Sequence, residues 1–366
     1  LGVEVEDFLA IGFALMKDVV NWKPGEPLWA EGSIGATVPT AIREPVLAEI
    51  CADLDDYAAG DPASEFDFVA LEAQPVIREN GRLLVLDGGL LWNRVTTGLF
   101  WILHDRLKAV SPPRDGRFRT AYGDMVDRLV KDEFQAIAPP GVGGVSTFYT
   151  DVDIAAAYGT GRNCDIVIDF GASLLLVEIV SGRISVPARA LGDLDKLEGD
   201  FKRLILDKCQ QLSDAADNII RNEEPLTGLS TGLRYPAIIP ALVVGGGVSV
   251  NPLTMSYVRS KLSQLGYLHH PRIAPLSILN LDDVEELECL AERGHDVSEL
   301  LREWQASEYR DVPLGNYLMW RFGSGVLRPT RMKSTVDAAF RDVVARLGFT
   351  HDAGPDEDED EGPAQP

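Results

Sequence analysis

Residues 164–180 read CDIVIDFGASLLLVEIV, and the fold turns on how the two halves of this stretch pair. Aliphatic and β-branched runs on either side of Gly171-Ala172 predict two strands joined by a tight turn. A two-residue type II′ turn takes glycine at its first central position, which Gly171 supplies, and the pairing it sets puts Asp165 opposite Glu178. Residues directly opposed share a face, with side chains about 4.5–5.5 Å apart. A three-residue turn would place Ile179 opposite Asp165 instead and separate the two carboxylates. Both strands are otherwise apolar on both faces, as in a sheet covered on two sides.

Two carboxylates meeting on such strands destabilise the sheet and raise one pKa unless a cation lies between them. A divalent metal, Mg²⁺ or Mn²⁺, is the economical occupant, because paired carboxylates completed by water and phosphate oxygens are the usual surroundings of Mg²⁺. Asp165 and Glu178 are therefore the candidate ligands. Asp169 shares their face but stands opposite Leu174 beside the turn, where hydrogen bonding to turn backbone is expected. A cation is expected from the helix that follows. Leu197, Phe201, Leu204, Lys208 and Gln211 recur at spacings of four and three, so Lys208 and Gln211 continue an apolar stripe facing the sheet.

Working outward, a helix is predicted before the hairpin over residues 118–138, preceded in turn by the linker Ser111-Pro112-Pro113-Arg114-Asp115-Gly116. Strands are expected at 145–150, 164–170, 173–180, 237–244 and 274–280, and helices at 193–222 and 255–265. Antiparallel strands first and a helical crossover later predict an α/β fold with a mixed sheet flanked by helices. Around it stand a helical N-terminal region (1–110), with helices at 5–20, 45–57 and 90–108 and an ordered loop at 22–39, and a helical C-terminal region (281–350). Residues 351–366 carry seven acids, all between Asp352 and Glu361, and no lysine or arginine, the composition of a disordered tail.

The hairpin and its flanking helices resemble the PD-(D/E)xK nuclease-like superfamily, whose members include restriction and repair endonucleases. The resemblance lies in an αβββαβ order over roughly residues 115–280, with an Asp opening one strand (Asp165) and a Glu on the next (Glu178). Val180 stands where the family's Glu-x-Lys motif has its lysine. Some members move that lysine to the following helix, which makes Lys208 its counterpart and Gln211 the counterpart of a glutamine often found there. Asp127, in the run Tyr122-Gly123-Asp124-Met125-Val126-Asp127, matches a first-helix carboxylate that assists the metal. The resemblance implies a restriction-endonuclease-like core and Mg²⁺-dependent hydrolysis of DNA or RNA. In that chemistry Asp165, Glu178 and Asp127 hold the metal, and Lys208 positions water or offsets phosphate charge. Arg183 could hold a phosphate but cannot act as a base.

Composition bounds the partners. The 366 residues carry 34 Lys+Arg against 57 Asp+Glu, a net charge of −23, so nucleic acid is repelled at most points of the surface and must enter through a local site or with a protein partner. Seven of those charges belong to the tail. Four cysteines stand far apart with neither CxxC nor metal-ligand spacing, which predicts reduced, buried thiols. The first residues show no charged-then-apolar leader pattern, which leaves open a leader removed ahead of Leu1, and the best apolar run is broken by prolines and glycines; together these predict a soluble, cytoplasmic chain with no membrane partner. The rival reading is a catalytically inactive nuclease-like domain that binds protein or nucleic acid, favoured by Val180 and the acidity. A third is a nuclease of a multi-protein defence system whose partner subunit supplies affinity for the substrate.

Overall fold

In a computed structural model the described residues are 2–21, 23, 38–59, 67–80, 82–141, 147–161, 163–228, 237–246, 248, 250–323 and 328–348. Most of the loop at 22–39 and the whole tail at 351–366 lie outside them. The chain forms two compact units, Leu1–Ile102 with Ser334–Pro366, and Leu103–Lys333.

The first unit is mixed rather than helical. Three short strands, β1 (Cys51–Asp53), β2 (Val76–Glu79) and β3 (Arg82–Val85), form a sheet with β1 parallel to β2 and β2 antiparallel to β3. The helix expected over 45–57 is split into Thr40–Ile50 and Leu54–Ala59 by β1, where pairing with β2 overrides the helical spacing for three residues. Helix Val5–Val20 forms as expected and buries Phe8, Ile11 and Leu15. Its Gly12 lies against Val95, where an added Cβ would come within 2.5 Å of the Val95 Cβ. Gly12→Ala is expected to lower stability by about 1–3 kcal/mol through overpacking, outweighing a helix-propensity gain of at most about 1 kcal/mol; thermal unfolding of the variant measures the balance.

The second unit is an α/β layer structure around a five-stranded sheet in the order β4 (Phe148–Thr150), β5 (Ile166–Asp169), β6 (Ser173–Val180), β7 (Ala237–Val244), β8 (Ser277–Asn280). β5 runs antiparallel to both of its neighbours, β4 and β6, whereas β6, β7 and β8 run parallel, giving the mixed sheet expected from the element order. β6 is buried along its whole length. The turn is the two-residue one: Gly171 adopts φ +83°, the Phe170 amide donates to the Ser173 carbonyl at 3.0 Å, and Asp169 pairs with Leu174. Asp169 accepts from the Gly171 amide at 2.6 Å, the turn role expected of it.

The supposed linker at 111–116 is instead the start of a long helix, Pro112–Ile137, with proline in its first turn, a position where its missing N–H costs nothing. The C-terminal helices Leu281–Glu292, Val297–Ala306 and Leu314–Phe322 are not a region apart. Val284, Leu287, Leu301, Trp304 and Leu318 join the same buried cluster as β5, β6 and β7. All four cysteines are free and buried. Among the described residues no helix is long and apolar enough to cross a membrane.

Candidate functional site

The β5–β6 ladder holds the expected register from Asp169↔Leu174 to Ile166↔Val177 and stops there, one residue short of an Asp165–Glu178 pair. Asp165 leaves the ladder because its side chain replaces a backbone acceptor. Its amide donates to the Val177 carbonyl at 3.0 Å, while its Oδ2 accepts the Ile179 N–H at 2.7 Å. The carboxylates still act on each other: the Asp165 charge, second only to burial, raises the pKa of Glu178.

Glu178 is 1% exposed. Its Oε1 accepts from Lys208 Nζ at 2.5 Å, and its Oε2 is buried with no hydrogen-bond partner. Burial and Asp165 together outweigh the lysine and push the carboxyl up to about 8. Burial also raises Asp165, opposed by the Ile179 hydrogen bond and by Lys208. Near neutral pH, Glu178 thus keeps a proton unless a further cation joins Lys208.

Lys208 reaches this point from the helix Asp207–Arg221, which follows a π-helical turn at Lys202–Leu206. That wider turn moves the buried stripe onto Leu204, Ile205, Cys209 and Leu212, so Lys208 flanks the stripe instead of lying in it. Such insertions cluster at functional sites, and here the offset leaves the Lys208 side chain partly exposed. Gln211, half-buried one turn further on, makes no side-chain hydrogen bond among the described residues, to the carboxylates or otherwise. Asp127 is near enough for its charge to raise both Asp165 and Glu178, but its Oδ2 is paired with Lys131 at 3.0 Å. Lys131 also bonds Asp151 at 3.0 Å and lowers the pKa of Asp165. The sequence reading missed this second cation, although the four-residue spacing from Asp127 to Lys131 signals it.

Among the described residues no group of three His, Cys, Asp or Glu side chains is placed to hold a metal ion. The two carboxylates, with one buried oxygen unsatisfied, nevertheless suit a hard divalent ion. Mg²⁺ is commonly held by one or two carboxylates and keeps several waters.

A second buried acid lies away from this site. Glu133, on Pro112–Ile137, is 0% exposed with neither oxygen hydrogen-bonded, and burial followed by the Glu285 charge pushes it up to about 8. For Glu133 and Glu178 alike the folded pKa lies above the unfolded one. Between the two values the folded chain therefore binds more protons than the unfolded chain, and stability falls as pH rises until both are ionised. Metal-free protein is expected to melt at a lower temperature at pH 9 than at pH 6. Glu133→Gln should remove part of that slope, of the order of 1.4 kcal/mol per pH unit across the window. Thermal unfolding against pH, wild type beside variant, measures it; identical slopes would contradict it.

No protein-family model, curated protein or solved structure matches the chain.

Proposed function

We propose that the second unit is a metal-dependent nuclease that hydrolyses phosphodiesters of DNA or RNA, with a restriction-endonuclease-like core and its catalytic lysine on a helix. The observation that carries this reading is Glu178: a buried carboxylate with one oxygen on Lys208 and the other unsatisfied, beside a second carboxylate. The order of long helix, three strands in an antiparallel run, helices and a parallel strand supports the resemblance, from which it departs by a short helix, Asp151–Tyr158, between the first two strands. Val180, in the motif's lysine position, is a buried core residue, so a cation can come only from another element, and Lys208 supplies it.

In this reading Asp165 and Glu178 would hold Mg²⁺ or Mn²⁺, which when bound lowers the pKa of a coordinated water. Ionised Glu178 would hold the Lys208 side chain in place. The Lys208 side chain is partly exposed, and its ammonium would contact the attacking water or a phosphate oxygen as charge builds on the phosphate. Asp127 and Lys131 would tune the charge around Asp165.

The test is cleavage of single- and double-stranded DNA and RNA with Mg²⁺ or Mn²⁺. Activity should appear on at least one substrate and vanish in Glu178→Ala and Lys208→Ala. Inactivity on all of them would sink the reading and favour the inactive binding module.

A further inference from the structure

Beyond the two carboxylates, the carboxyl ends of β6 and β7 carry a second built arrangement. These strands run parallel, and the crevice outside the carboxyl ends of parallel strands is where open α/β sheets bind ligands. β6 leads into Ser181-Gly182-Arg183 and β7 into Gly245-Gly246. The Arg183 guanidinium lies over the Tyr122 ring, 5.2 Å from its centroid, and its Nη2 donates to the Tyr122 hydroxyl at 2.7 Å. That hydroxyl donates in turn to the Gly245 carbonyl at 3.3 Å. The Arg183 backbone is fastened too: its carbonyl accepts from Arg203 at 3.4 Å, and Arg203 is paired with Asp200 at 2.9 Å.

Close approach is written into three glycines. An added Cβ at Gly182 would meet Leu204 at 2.4 Å, and at Gly245 it would meet Val126 at 2.7 Å. Gly246, at φ +102°, brings its backbone against the guanidinium, with Arg183 Nη2 3.6 Å from the position of an added Cβ. The side chain is thus held by a tyrosine and by glycine backbone. A guanidinium fixed in this way sets a permanent positive charge at a defined place, which suits a phosphate. It also stands five residues beyond Glu178, past the carboxyl end of the same strand, in a chain whose net charge of −23 requires local cations wherever a polyanion is to bind.

We propose that Arg183, set on Tyr122 against Gly245-Gly246, forms a second phosphate subsite that holds the nucleic-acid backbone next to the phosphodiester cut at Glu178 and Lys208. This rests on the nuclease reading. Arg183 is a positioning residue in it: its phosphate is one the reaction does not break. Its removal should raise KM more than it lowers kcat.

The experiment uses the full chain, fluorescent DNA and RNA oligonucleotides, and Ca²⁺ in place of Mg²⁺ to follow binding by anisotropy over a salt series, with Mg²⁺ cleavage kinetics in parallel. Arg183→Gln is expected to weaken binding and to reduce the slope of log K against log salt by about one. Arg183→Lys should recover the slope without recovering full affinity. Tyr122→Phe, which keeps the ring and loses the hydroxyl, should shift KM in the same direction by less, and it guards against a folding defect in the arginine variant. Cleavage that needs Glu178 but shows the same salt slope and KM in Arg183→Gln would overturn the subsite and leave the nuclease reading standing. A wild-type chain that neither binds nor cuts any oligonucleotide would overturn both.

Discussion

On the proposed nuclease reading, a Glu178→Gln chain should lose metal-dependent cleavage by at least about 10²- to 10³-fold while its melting temperature rises at pH 8 and above. Gln is nearly isosteric with Glu, so packing along β6 is preserved and the change isolates charge. Removing one partner of a buried ion pair usually destabilises, because the other charge is stranded. Here the other charge is Lys208, whose side chain is 30% exposed and can turn its ammonium to water. What disappears is the cost of ionising a carboxyl pushed up to about 8 by burial and by Asp165. Below that pH the wild-type carboxyl already carries a proton, and the two chains should melt alike. Loss of activity with gain of stability marks a group kept for function at the expense of the fold. A variant that is both active and no more stable would show that Glu178 is neither catalytic nor strained.

The largest effect on stability is expected from Trp304→Ala, a loss of about 3–5 kcal/mol. Trp304 is fully buried on Val297–Ala306, a helix that packs on β6 and β7, and its indole N–H donates to the Tyr309 carbonyl at 3.0 Å. Truncation opens a cavity and leaves that carbonyl without the indole. The same variant tests domain organisation. If residues 281–333 belong to the sheet's core, as their burial with β5–β7 indicates, urea unfolding of Trp304→Ala should shift the β-sheet signal and the helical signal together. Two separated transitions, with the sheet unmoved, would restore the independent C-terminal region that the sequence suggested.

Where the sequence was legible, one local rule sufficed. Glycine's tolerance of positive φ at Gly171 set the hairpin register, and the same turn explained Asp169. Legibility ended at Asp165, because no ladder rule says when a side-chain oxygen will displace a backbone acceptor. It ended again at Lys208, since a π-helical turn shifts a stripe by one residue and spacing alone does not reveal it. Lys208 reached Glu178 all the same, because its long side chain bridges that offset. The small sheet of the first unit went unread although the Asn80-Gly81 pair between two apolar runs is a strong hairpin signal; Asn80 adopts φ +51°. β1 offered no such signal: three residues held by a parallel partner more than twenty positions away leave no local mark. Glu133 and Tyr122 were beyond reach for a related reason, as their burial and partners come from elements distant in sequence.

The most direct test of the central claim, that Asp165 and Glu178 are brought together to hold a divalent cation, is calorimetric titration of the metal-free chain with Mg²⁺ and Mn²⁺ at neutral pH in two buffers of different ionisation enthalpy. One ion should bind per chain and release a proton, because Glu178 must ionise to become a ligand, and affinity should climb as pH approaches 8. Glu178→Gln should show neither the binding nor the proton. Absence of binding to the wild type, or equal binding without proton release in the variant, would contradict the account.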